Sequence, residues 1–154
     1  LSSAPGGEEE VRRLLAAYQQ YQAQADGIMQ QLSLTQLTAE GLERALVAVE
    51  ALDKAEVGQE ILVPIGSGSF VHGSLASKEK VVLNVGAGVS IEKTAAEAKE
   101  ILKVRKAEVL EGTKKLNEVL AKIDQEMQKI QAIMQQFEEG AHQHQHGPGS
   151  DGVV

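Results

Sequence analysis

Two apolar seams with coiled-coil spacing constrain this chain more than any other feature. From Val11, alternating steps of three and four residues reach Leu14, Tyr18, Tyr21, Ala25, Ile28, Leu32, Thr35, Ala39, Leu42, Leu46 and Val49, and only Thr35 among them is polar. A seam that stays in phase this long requires a partner helix. A 3.6-residue helix drifts against a 3.5-residue repeat unless it wraps around a neighbour. Glu8, Glu9 and Glu10 stand where acidic groups favour a helix N-terminus. Gly27 and Gly41 fall off the seam, so they weaken the helix without interrupting its apolar face.

The second seam runs backward from Phe137 through Met134, Ile130, Met127, Ile123, Leu120, Leu116, Thr113, Val109, Lys106, Leu102 and Lys99 to Ala95. Lys99 and Lys106 interrupt it, and a local phase shift through Ala98, Leu102 and Arg105 is the alternative course. Lys99, Arg105 and Lys106 are expected to be surface residues whose stems snorkel along apolar ground; the competing reading is contact with another subunit. Thr94-x-x-Glu97 has the form of a capping box, which starts this helix near Ala95. Aromatic residues make up only 3% of the chain and there is no Trp, which fits a thin, elongated seam better than a thick core. Each helix of about 40 residues would be roughly 60 Å long.

Between the seams the periodicity changes. Glu60–Ile65, Phe70–Leu75, Lys80–Val85 and Val89–Lys93 are short runs rich in β-branched residues, separated by Gly66-Ser-Gly-Ser69, Ser77-Lys-Glu79 and Gly86-Ala-Gly88. They predict four strands in two hairpins, with Pro64 at an edge or a bulge. The expected division is an unstructured 1–7, a helix over 8–53, two hairpins over 58–93, a helix over 94–138 and an unstructured 139–154. The fold class is α+β: a long antiparallel two-helix coiled coil joined by two β-hairpins that assemble into an oligomeric β-barrel hub. Pairing Leu52 with Thr94 brings Tyr18 near Gln128 and Val11 near Gln135, with both chain ends at one tip. An insert of about 35 residues is too small to bury a core alone and leaves open strand edges, hence the assembly.

Several classes of function are excluded. The net charge is −7, and residues 1–52, 53–90 and 91–154 carry −4, −1 and −2, so no segment offers the basic surface that nucleic-acid binding requires. No apolar run approaches the roughly 20 residues of a membrane span. Leu1–Glu10 shows neither the basic nor the apolar region of a signal peptide, so a soluble, cytoplasmic protein is expected. With no Cys there is no thiolate ligand or nucleophile. Gly66-x-Gly68 and Gly86-x-Gly88 continue to Val71 and Ile91 instead of a third glycine, so they read as hairpin turns rather than phosphate loops. His142, His144 and His146 could hold a metal only adventitiously, and His72 lacks an acid–base constellation. The expectation is no enzyme, no cofactor and no metal.

The string Ile61-Leu-Val-Pro-Ile-Gly-Ser-Gly-Ser-Phe-Val-His-Gly73, followed by Lys80-Val-Val-Leu-Asn-Val-Gly-Ala-Gly-Val-Ser-Ile-Glu-Lys93, resembles the central segment of the alpha-class subunit of prefoldin. With the flanking seams the resemblance covers roughly residues 8–138, and two hairpins instead of one point to the alpha class, with an archaeal source favoured. The resemblance implies a hexamer of two alpha and four beta subunits, with hairpins in a double barrel and six projecting coiled coils. It implies an ATP-independent holdase that captures non-native proteins and delivers them to a group II chaperonin.

Holding an unfolded chain requires exposed, adaptable apolar surface. The coiled-coil tip offers Val11, Leu14, Leu15 and Tyr18 on the first helix and Ile130, Ile133, Met134 and Phe137 on the second, with Leu15 and Ile133 beside the seam and best placed for contact. Met29, Leu34 and Leu37 lie off the seam and could line an inner cavity. Subunit assembly is assigned to Ile61, Val63, Ile65, Phe70, Val71, Val81, Leu83, Val85, Val89 and Ile91. The competing reading is a structural coiled-coil protein that forms homo-oligomers or filaments through its β segments.

Overall fold

The computed structural model describes residues 5–143. Helix α1 spans Pro5–Ala51 and passes into a single 3-10 turn, Leu52–Lys54. Strands β1 (Glu60–Gly66) and β2 (Ser69–Ser74) form one hairpin, and β3 (Lys80–Gly86) and β4 (Val89–Thr94) form a second. Helix α2 spans Ala95–Gln143. None of the described helices is long and apolar enough to cross a membrane.

Both helices run further than the expected boundaries. Helix α1 begins at Pro5, inside the segment 1–7, and α2 passes residue 138 and continues to Gln143. Proline suits a first turn, where its missing N–H would have had no helical partner. Once a helix is nucleated, each added residue gains a hydrogen bond, which carries Gly6, Gly7 and Gly140 along despite their poor propensity. His144 and His146 lie outside the described residues. At the start of α2 the capping box is present in both directions. The Glu97 N–H donates to Thr94 Oγ1 at 3.2 Å, and the Thr94 N–H donates to Glu97 Oε2 at 3.1 Å.

The two hairpins share one design. In the first, Val63 faces Val71 and Pro64 faces Phe70, and the register slips between Pro64 and Gly66 before Gly66 meets Ser69. In the second, Leu83 faces Ile91 and Asn84 faces Ser90, with the same slip before Gly86 meets Val89. Ser67 and Gly68 in one turn, and Ala87 and Gly88 in the other, all have positive φ (49°, 70°, 51° and 74°). That is the pattern of the two-residue turn whose twist matches that of the strands it joins. Pro64 therefore sits beside a bulge, where its missing N–H costs the ladder little.

The chain divides into two compact units. In the unit Leu34–Thr113, Leu46 and Val49 of α1, Ala98 and Leu102 of α2, and Leu83 of β3 form one buried cluster. Leu42, Val81, Ile91 and Ile101 pack against it. The α2 seam here follows the shifted phase through Ala98, Leu102 and Arg105. Lys99, Arg105 and Lys106 are half-buried, and the head of each finds a partner within the chain. Lys99 lies 4.0 Å from both Glu50 and Asp53, Lys106 pairs with Glu43, and Arg105 Nη1 donates to the Asn84 carbonyl at 2.9 Å. These cations could be placed on the seam because a carboxylate or a carbonyl stands opposite each one.

In the other unit, Ile123 and Ile130 of α2 are buried, and Val11, Leu14, Tyr18, Tyr21, Ala25, Ile28 and Leu32 of α1 are half-buried. The residues beside them are almost all exposed. Tyr18 Oη accepts a hydrogen bond from Gln131 Nε2 at 3.0 Å, one turn along from the expected Gln128.

The buried cluster makes a stability prediction. Leu102→Ala should cost about 2–4 kcal/mol in urea denaturation through lost burial and a residual cavity. Ala98→Leu should cost about 1–3 kcal/mol by overpacking. Val104→Ala, two residues along on the exposed side, should stay within about 0.5 kcal/mol of the parent.

Candidate functional site

Two sets of apolar side chains lack cover within the chain. The first lies at the paired ends of α1 and α2. Leu15, Ile133 and Phe137 are 46%, 40% and 39% exposed. Val11, Leu14, Tyr18 and Met134 are half-buried along the seam, and Ile130 is only 7% exposed. Ile130 therefore holds the helices together in this arrangement instead of presenting itself outward. The Tyr18–Gln131 register sets Phe137 roughly level with Val11. Phe137 continues the heptad pattern close to the last layers of the seam and stays partly exposed.

Further along the same unit, Met29 lines a groove of about 550 Å³ with Ala25, Leu120 and Met127, flanked by Asp26 and Asp124. Leu34 and Leu37 belong to the other unit, where both are largely exposed on the surface of α1.

The second set is on the hairpins. Each sheet has two strands, so every strand pairs on one side only and offers the other edge for pairing. Ile61 is half-buried, whereas Val63, Ile65, Phe70 and Val71 of the first hairpin are exposed. In the second hairpin Val85 and Val89 are exposed, Val81 and Ile91 are half-buried, and Leu83 is only 7% exposed. Leu83 is seated on the chain's own helices, so it anchors the hairpin.

Three features were not read from the sequence. The hairpins are an internal repeat: Ile61, Val63, Ile65, Gly66 and Gly68 recur at constant offset as Val81, Leu83, Val85, Gly86 and Gly88. A self-comparison would have found it. Even a diagonal polar side-chain contact recurs, as Glu60–His72 at 2.5 Å and Lys80–Glu92 at 3.4 Å. The second face of the first hairpin is also apolar, and that of the second hairpin carries one exposed apolar residue. Leu62 and Phe70 share the face opposite Val63 and Val71, and Val82 lies opposite Leu83. Finally, the Arg105–Asn84 hydrogen bond joins residues far apart in sequence, and no local pattern announces it.

Comparison with known proteins decides what these surfaces belong to. The profile of the family described as "Prefoldin subunit" matches residues 9–139. This chain belongs to the prefoldin family. Its similarity is to the alpha class of prefoldin. It is 54% identical over 110 residues to prefoldin subunit alpha of Methanothrix thermoacetophila, a match covering 71% of this chain and 72% of that one. It is 31% identical over 150 residues to prefoldin subunit alpha of Methanospirillum hungatei, covering 96% and 99%. Among solved structures it resembles a chain of filamentous PFD from Methanocaldococcus jannaschii, with a TM-score of 0.66, 25% identity, and coverage of 76% of this chain and 97% of that chain. As an alpha-class prefoldin the chain is a non-catalytic chaperone subunit that holds unfolded clients for a chaperonin. Prefoldin beta subunits and a chaperonin are the partners that this membership implies.

The anchoring of the second hairpin is testable by hydrogen exchange. Arg105→Ala should raise exchange in β3 and β4 about threefold to tenfold, as expected when a hydrogen bond worth about 1 kcal/mol is lost. Exchange in β1 and β2 should not change.

Proposed function

We propose that this chain works in an ATP-independent heterohexamer of two alpha and four beta subunits in the cytoplasm. Its hairpins join those of other subunits in a β-barrel hub. The paired ends of α1 and α2 capture non-native proteins and deliver them to a group II chaperonin. The observation that carries the reading is the exposure of Leu15, Ile133 and Phe137 at those ends. Exposed apolar side chains there are the contact set, and Val11, Leu14, Tyr18 and Met134 join it when the terminal turns fray. Ile130 contributes by keeping the helices paired. Several such weak contacts on one client act together, because each later contact is effectively intramolecular. Capture and release then need no nucleotide.

The hub reading rests on the open strand edges and on the exposed apolar side chains of both hairpins. The hub residues are Ile61, Val63, Ile65, Phe70, Val71, Val81, Val85, Val89 and Ile91, with Leu83 acting from behind as the anchor. A second reading, homo-oligomers or filaments without a holdase role, is favoured by the likeness to a chain from a filamentous assembly. Mass measurement separates the two. A single complex with beta subunits supports the hexamer, and an open-ended series of masses from the lone chain supports the filament.

Capture is tested by combining Leu15→Ser, Ile133→Ser and Phe137→Ser. The expected outcome is loss of most of this subunit's contribution to suppressing aggregation of a denatured client, with the mass of the assembled complex unchanged. Undiminished suppression would remove these ends as the client surface.

A further inference from the structure

We propose that the paired helix ends select non-native segments whose apolar residues are flanked by lysine or arginine. This inference rests on the reading of those ends as the client surface, and it names the class of client they take.

The exposed Leu15, Ile133 and Phe137 stand at helix ends that carry carboxylates. Glu8, Glu9 and Glu10 occupy the start of α1, Glu138 and Glu139 lie near the end of α2, and all five are exposed. The cations close by are largely engaged. Arg13 pairs with Glu9 at 3.1 Å and Lys129 with Glu126 at 2.9 Å, which leaves Arg12. Among the described residues Glu8, Glu10, Glu138 and Glu139 form no ion pair.

Helix stability accounts for only some of these charges. Glu8 belongs to the first turn of α1, where the helix dipole favours an anion. Glu138 and Glu139 approach the opposite end of α2, where the dipole favours cations. The Tyr18–Gln131 register also brings Glu139 level with Glu10, a placement that sets like charges at one level. Neither helix gains from that arrangement, whereas a cationic ligand does.

The geometry suits side chains that are apolar along their length and charged at their end. The stem of a lysine or arginine can lie along Leu15 or along Ile133 while its head reaches a carboxylate. The exposed ring of Phe137 adds a surface on which a guanidinium can stack. An adjoining apolar residue of the same client covers another of the exposed side chains. Complementary charge also speeds encounter and weakens as salt rises, since screening acts over about 8 Å at physiological ionic strength.

The test uses the full chain assembled with beta subunits and two labelled peptides that share one Leu- and Phe-rich core. One peptide is flanked by Lys and the other by Glu, and binding is read by fluorescence anisotropy at low and high salt. The Lys-flanked peptide should bind about fivefold more tightly at low salt, as a few exposed ion pairs would give, and the preference should shrink at high salt. Combining Glu8→Gln, Glu10→Gln, Glu138→Gln and Glu139→Gln should remove most of this preference while the Glu-flanked peptide still binds. Combining Glu40→Gln, Glu108→Gln, Glu111→Gln and Glu118→Gln, a control with the same net charge, should leave the preference intact. Equal binding of the two peptides, or a preference unchanged in the first variant, overturns the charge proposal and leaves apolar capture standing. Failure of both peptides to bind the parent complex overturns the capture reading itself, and this proposal with it.

Discussion

The antiparallel seam is the interaction on which the rest of this structure depends. A coiled coil buries one narrow stripe per helix, and here the buried set is correspondingly small: Leu46, Val49, Leu83, Ala98 and Leu102 in one unit, and Ile123 and Ile130 in the other. A narrow stripe leaves the rest of each helix exposed. Long helices can therefore display apolar side chains such as Leu15 and Ile133 without disturbing the seam beside them. An enclosed core would withdraw the same residues from use.

The duplicated hairpins show how one sequence pattern takes two roles. Val63 and Leu83 are equivalent in the repeat and opposite in environment, 41% and 7% exposed. The difference is made by neighbours. Leu46, Val49, Ala98 and Leu102 supply a seat for the second hairpin, and Arg105 fastens it through the Asn84 carbonyl. The first hairpin exposes Leu62 and Phe70 on one face and Val63 and Val71 on the other. Surface of that kind is costly in water and becomes stable when other subunits cover it. The same chain thus carries a hairpin anchored from within and another that calls for partners.

The helix ends work by a related principle. A seam covers its residues less completely at its last layers, and Phe137 there is 39% exposed. Residues at those layers keep their chemistry and lose part of their cover. A holdase needs weak, adaptable apolar contacts, and the terminal layers of a coiled coil provide them without a shaped pocket. The carboxylates around them add a preference among clients while leaving the contacts shallow.

Much of this was legible in the sequence because it depends on local rules. The heptad spacing from Val11 to Val49, the Thr94–Glu97 capping box and the glycine turns at Gly66–Gly68 and Gly86–Gly88 each follow from the conformational preferences of nearby residues. Other features were not legible, because they depend on residues that approach only when the chain folds back. Lys99 and Lys106 read as breaks in the seam, and only the folded chain sets Glu50, Asp53 and Glu43 opposite them. Phe137 reads as one more seam residue, and only the folded chain shows that it is left 39% exposed. The sequence by itself determined two seam helices around a pair of glycine-turned hairpins, since periodicity and turn chemistry are properties of short stretches. The tertiary structure alone decided which hairpin is anchored and which apolar residues remain open to others, because burial belongs to what stands across from a side chain.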